Sequence, residues 1–188
     1  RAAGDGEAVI DGGSPTPPRH GIGIAASDSH DVWFEGLTIR NTEWGIVANR
    51  SSRIVVRGCH FYSVDYGFAA TNAAEGTNVG FFLSDNVIEG PCTWPRSRGI
   101  ETPRGIQVTG KGHVICHNRI RGFADAIDTM PSATCAAIDI HHNEISEMTD
   151  DGIELDYSQR NTRCFLNRLT NVFQGLSAQP VYGGPAYF

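Results

Sequence analysis

A two-residue signature, a small residue followed by an apolar one, recurs along this chain and restricts how it can fold. Gly21-Ile22, Gly45-Ile46, Gly67-Phe68, Gly105-Ile106, Ala126-Ile127, Gly152-Ile153 and Gly175-Leu176 follow one another at intervals of 24, 22, 38, 21, 26 and 23 residues. A second series keeps step with it, an apolar residue followed three positions on by Asn or Cys: Leu83 with Asn86, Ile115 with Asn118, Ile140 with Asn143, Cys164 with Asn167, and Val56 with Cys59. Around both series apolar and polar residues tend to alternate, the period of a β-strand. A unit of about 22–25 residues built from such strands cannot close a core alone, but stacked coils bury a continuous one.

The expected architecture is therefore all-β, a right-handed parallel β-helix of about seven coils forming one domain over residues 1–188. One apolar ladder would hold Ile22, Ile46, Phe68, Ile106, Ile127, Ile153 and Leu176. A second would hold Phe34, Val56, Leu83, Ile115, Ile140 and Cys164. Asn86, Asn118, Asn143 and Asn167 would stack at one corner, where an amide tolerates left-handed backbone and bonds the next coil. The one long interval contains Pro91, Trp94, Pro95 and Arg96, and reads as an inserted loop over about 91–104. A β-sandwich is the competing fold, but past residue 12 only Asp151-Gly152 resembles a hairpin turn, and it falls inside a repeat strand. The chain starts at Arg1 and stops in the apolar Pro185–Phe188, so both ends are expected to continue a longer helix. Exposed coil ends would permit end-to-end self-association.

Composition removes several function classes. With 15 basic against 21 acidic residues the net charge is −6, which argues against a nucleic-acid partner. No apolar run approaches the roughly 20 residues of a membrane-spanning helix, so no membrane insertion is expected. The five cysteines show neither a paired CxxC nor zinc-ligand spacing. Cys92 and Cys135, on loops, are the expected pair in an oxidising compartment, and Cys59 and Cys164 are expected to be inert core thiols. His113 falls at an inward position. His117 and His142 fall at equivalent outward positions on adjacent rungs and are expected to be structural, with no third ligand evident beside them and His141. No phosphate-binding glycine pattern occurs.

Aligning the coils on the small-apolar pair brings Trp44, Tyr66, Arg104, Asp125 and Asp151 into one outward column, and Gln107, Asp128 and Glu154 into another. With Asp150 and Asp156, six carboxylates then crowd two adjacent rungs, about 4.8 Å apart. Like charges so close raise one another's pKa or require a cation: the cluster is either a solvated acidic face with no ligand or a cation site, and oxygen donors converging from two rungs suit calcium. Asp125, Asp128, Asp151, Glu154 and Asp156 are the candidate ligands. Trp44 and Tyr66, one rung apart on this face, are expected either to form a stacking platform for a ligand ring or simply to cover a turn, with Gln107 and the turn residues Lys111 and Arg160 as candidate further contacts.

The repeat resembles the pectin-lyase-like superfamily of right-handed parallel β-helix proteins, and the opening stretch Arg1–Gly12 resembles an early coil of such proteins. That resemblance implies a polysaccharide partner and a secreted or periplasmic setting. The acidic rungs beside an arginine are similar to calcium-dependent pectate lyases, which implies Arg104 as the base of a β-elimination, the chemistry of a lyase or an epimerase. Asp125 and Asp128 followed by Asp150 and Asp151 are similar to the polygalacturonase signature, which implies a glycoside hydrolase using paired aspartates. Gln174 stands where that family has a histidine. A non-catalytic carbohydrate-binding or structural module is the third alternative.

Overall fold

The computed structural model describes residues 4, 6–71, 77–97, 99, 101–129 and 134–188. Every strand pairing among them is parallel, in a seven-stranded and a ten-stranded sheet, which excludes the sandwich. The seven-stranded sheet stacks short segments, from Trp33–Glu35 through Val114–Cys116 to Ala186–Tyr187. Seven stacked strands enclose six turns, so the helix has about six turns where the sequence spacing predicts about seven coils. No helix among the described residues is long and apolar enough to cross a membrane.

The ten-stranded sheet is folded along its length. Its long strands, Leu37–Val47, His60–Ala70, Glu144–Glu154 and Arg168–Ser177, each contain one residue with positive φ, respectively Asn41, Ser63, Glu147 and Asn171. That residue bends the strand into two arms, and each coil thus contributes three strand segments to a triangular section. Three ladders fill the interior. Ile10, Ile39, Phe61, Ile88, Ile120, Ile145 and Leu169 pair in sequence along the first arm. The small-apolar ladder lines the second arm, and Phe34 through Cys164 line the seven-stranded sheet as expected. Most of these side chains are 0–1% exposed, so their burial is nearly complete and supplies the main stabilising term.

Three expectations need correction. In the first repeat the ladder residue is Ile24, which pairs with Ile46; Ile22 pairs with Trp44 and is 49% exposed. The sequence Gly-Ile-Gly-Ile offers two registers that keep the same face, and the fold takes the second. The corner asparagines do not take up left-handed backbone. The residue before each does, namely Asp85, His117, His142 and Leu166, with φ from 54° to 57°. That turn swings the asparagine inward. Asn118 Nδ2 donates to Leu83 O at 2.9 Å and to Asn143 Oδ1 at 3.0 Å, while its own Oδ1 accepts from the amide and Nδ2 of Asn86. The third correction concerns the thiols: all five cysteines are free and buried, and Cys92 and Cys135 are not paired.

His113 is fully buried as expected, stacked on Phe81 at 4.5 Å. Its Nδ1 accepts from the Phe81 amide and its Nε2 donates to Thr109 O. Burial lowers its pKa to about 4, so it is a neutral core residue. The inserted segment between Val87–Glu89 and Arg104–Val108 contributes no strand among its described residues. The strand His60–Ala70 spans the interruption, pairing with Val87–Glu89 through its first arm and with Arg104–Val108 through its second.

Candidate active site on the second strand arm

The second arm of each coil carries the outward column anticipated from the sequence. Trp44 pairs with Tyr66, Tyr66 with Arg104, and Arg104 with Asp125. The Trp44 and Tyr66 rings stack at 3.9 Å with an interplanar angle of 9°, both half-buried, which presents an aromatic platform at one end of the row. Beside Tyr66 a cavity of about 490 Å³ opens between Pro17-Pro18 and the inserted segment, with Glu43, Asp65 and Glu101 in its lining. Its first wall is anchored by a part-buried ion pair, Arg19 Nη1 to Asp65 at 2.7 Å. Sequence periodicity could not find this wall, because neither segment that builds it belongs to the repeat.

Arg104 is the centre of the row. Its Nη2 lies 3.0 Å from Asp125 Oδ2, and its Nε lies 2.7 Å from Asp128 Oδ2. Gln107 Nε2 also donates to Asp128 Oδ2, at 2.6 Å. Asp128 stands in the outward column between Gln107 and Glu154, but Arg104 and Gln107 cover it and leave it 0% exposed. Asp125 Oδ1 accepts the Asp151 amide at 2.9 Å, where the pairing of Glu144–Glu154 with Arg168–Ser177 shifts register between Met148 and Asp151.

One carboxylate oxygen from each of Asp125, Asp151 and Glu154 lies within 4.8 Å of the others. Glu154 Oε2 is buried and has no hydrogen-bond partner among the described residues. Calcium–oxygen bonds of about 2.3–2.6 Å bring ligand oxygens within about 5 Å of each other, so this trio fits the donor chemistry of calcium. Of the other candidate ligands, Asp128 is turned to Arg104 and Gln107. Asp156 Oδ1 accepts from Ser177 Oγ at 2.9 Å and the Gln179 amide at 2.7 Å, tying down the next turn. Asp150 is half-buried beside the trio, and its charge raises the pKa of Asp125 and Asp151. Lys111 and Arg160 lie off the row, in the stacked turns that lead into the seven-stranded sheet: Lys111 bridges Ala136, and Ala137 bonds Arg160 O.

A family model described as the right-handed beta helix region matches residues 7–122. The chain belongs to the right-handed β-helix family. Membership agrees with the pectin-lyase-like resemblance and establishes the fold. The match ends before Asp125, so what this β-helix does with its carboxylates must be argued from the residues themselves. No solved structure matches the chain.

The electrostatics of the trio set it apart from the rest of the β-helix. Exposed aspartates such as Asp11, Asp28 and Asp31 are hydrogen-bonded or paired with arginine and titrate below the usual range. Asp125 and Asp151 are raised to about 6 and about 7, and Glu154 to about 8, in each case first by burial and then by neighbouring carboxylates. A carboxyl whose folded pKa exceeds its unfolded value near 4 keeps its proton longer in the native state. The trio then binds more protons in the native protein than in the unfolded chain between about pH 4 and pH 8, and its contribution to stability falls as pH rises through that window. Denaturation in chelator should show this decline across about pH 6.5–8, where the low-titrating aspartates are already ionised and where the buried His113, whose lowered pKa gives the opposite slope at lower pH, no longer contributes. Calcium should flatten it, since a bound cation favours the ionised trio. An equal slope with and without calcium would contradict occupancy of the site.

Proposed function

We propose that the second-arm face binds an acidic polysaccharide and cleaves it by calcium-assisted β-elimination, with Asp125, Asp151 and Glu154 as the calcium ligands. The observation that carries this reading is the convergence of those three carboxylates at the end of a row that begins with a stacked Trp44–Tyr66 pair. The aromatic platform and the adjoining cavity would bind sugar rings and orient the chain along the row. Calcium bound to the trio would draw in a uronate carboxylate and acidify the adjacent C5 proton. Arg104 is the base the row offers. Burial lowers its pKa, but the paired Asp125 and Asp128 outweigh that and raise it. A guanidinium so held is a poor proton acceptor, and it becomes a better one only when a cation offsets the charge of Asp125. Asp128 and Gln107 keep the Arg104 side chain in place through this change. The reading carries with it the secreted or periplasmic setting that the pectin-lyase-like resemblance implies.

Hydrolysis is the second reading, favoured by one observation: Asp151, with its pKa raised to about 7, is about half protonated near neutrality and so able to donate a proton to a leaving oxygen. Its partners would be Asp125 and Asp150. The spacing counts against an inverting pair, which leaves roughly 6.5–9.5 Å between carboxyls for a water. Asp125 and Asp151 offer oxygens within 4.8 Å.

Incubation with pectate, alginate and neutral glycans, with calcium and with chelator, separates the readings. Calcium-dependent absorbance of unsaturated product is the expected result, and Arg104→Ala should lower turnover by about 10²–10⁴-fold. New reducing ends without that absorbance would replace elimination by hydrolysis. Silence in both would overturn cleavage and leave a binding module.

A further inference from the structure

We propose that Cys116, His117 and His141 form a second metal site, for a borderline first-row ion of which zinc is the type, on a corner of the β-helix away from the carboxylate row. The three residues each place one donor atom within 4.8 Å of the other two. Local sequence spacing does not reveal the site, because its donors come from two coils. Cys116 and His141 are cross-strand partners in the pairing of Val114–Cys116 with Asp139–His141. His117 follows Cys116 at a position with φ of 57°. In a regular strand successive side chains point to opposite faces. The left-handed turn at His117 breaks that alternation and lets both neighbours serve one point. The missing third ligand is therefore the thiol of Cys116.

The surroundings suit a metal-binding corner. His141 is stacked on Phe165 at 5.0 Å and lies edge-on to His117 at 5.9 Å, which fixes its ring. Its Nδ1 lies 2.9 Å from Nδ1 of His142, a contact of the kind that sets the tautomer of a ligating imidazole. His142 in turn stacks on His117 at 5.0 Å. Cys116 is 4% exposed, so its sulfur sits beneath the two histidines. One sulfur and two imidazole nitrogens exclude calcium and magnesium and match zinc or cobalt. In a tetrahedral site the donors stand about 3.4–3.6 Å apart, so a modest side-chain adjustment closes the trio on the ion. Three protein ligands leave a fourth position open. A shallow cavity of about 350 Å³ adjoins it, with Asp85, His117, His142 and Glu144 in its lining, and gives a water or small ligand access. The ion would also clip two adjacent coils together.

Titration of metal-stripped, thiol-reduced protein with zinc by calorimetry tests the site, with cobalt as the spectroscopic probe. The expected result is one zinc per chain with a Kd on the order of micromolar or tighter, and a thiolate-to-cobalt charge-transfer band. Cys116→Ser should abolish that band, and His117→Ala or His141→Ala should weaken zinc at least tenfold. His60→Ala, altering a histidine paired with Glu89 elsewhere on the helix, and Asp151→Asn in the carboxylate trio should leave zinc binding unchanged. Absence of stoichiometric binding would overturn the proposal. So would folded Cys116→Ser and His117→Ala variants that bind zinc like the parent. His117 is exposed, so its truncation tests the site even if the buried Cys116 variant fails to fold.

Discussion

Replacing Asp151 by asparagine should produce two opposite effects at once: loss of calcium binding and gain of metal-free stability. The carboxylate is 8% exposed and faces the charges of Asp125 and Asp150, so ionising it in the empty site is unfavourable. An amide of the same shape removes that repulsion. In chelator near pH 8 the variant should therefore melt above the parent. With one of three charged ligands gone, calcium affinity should fall by roughly 100-fold, about 2.7 kcal/mol. The calcium-induced rise in melting temperature should shrink accordingly, since that rise follows mass action on the folded state. Glu154→Gln should behave in the same way, because Glu154 Oε2 is already buried without a partner. Calorimetry against calcium and melting curves in chelator and calcium measure both halves. A variant that binds calcium like the parent sinks the metal assignment. A variant that loses calcium and also loses metal-free stability indicates that the carboxylate serves the fold instead. The two-way signature is what a binding site kept at the expense of stability should show.

The largest effect on the fold itself should come from Asn118→Ala. Asn118 is 1% exposed and is the middle of an amide ladder that runs from Asn86 to Asn167. Its truncation strands the Leu83 carbonyl, half of the donor set that serves Asn143 Oδ1, and both the amide and Nδ2 of Asn86. Each buried group left unsatisfied costs about 1–3 kcal/mol, partly relieved where a second partner remains. A total near 3–5 kcal/mol is expected, at the top of the range for single substitutions. For a chain of this size that lowers Tm by about 6–20 °C. Asn167→Ala, at a half-buried rung, should cost less. Equal and small losses at both positions would show that water replaces the ladder without penalty.

The contrast between the ladder and the carboxylate row also explains what the sequence made legible. Coil architecture follows from spacing alone, because identical offsets in successive repeats must stack. The columns Trp44–Tyr66–Arg104–Asp125 and Gln107–Asp128–Glu154 were readable for the same reason. Register was readable only where the pattern was unambiguous, and Gly21 to Ile24 supports two registers. What the columns do not encode is which neighbour a side chain chooses. Asp128 turns to Arg104, and Asp156 turns to Ser177 and Gln179, through rotamers that spacing cannot specify. Cys116 and His117 are not legible as a pair, because strand alternation assigns them opposite faces and only the positive φ at His117 reverses that.

The uninterrupted strand opposite the inserted segment has a consequence for how this scaffold can change. His60–Ala70 holds Tyr66 against Arg104 although 37 residues separate them in the chain, so rung alignment is indifferent to contour length. Lengthening such a connection costs only about 0.6 kcal/mol for each doubling. The wall beside Tyr66 is thus free to be exchanged, shortened or grafted while the row beneath it keeps its spacing. Substrate preference and reaction chemistry can then diverge on separate timetables, one in the exchangeable wall and the other on the rungs.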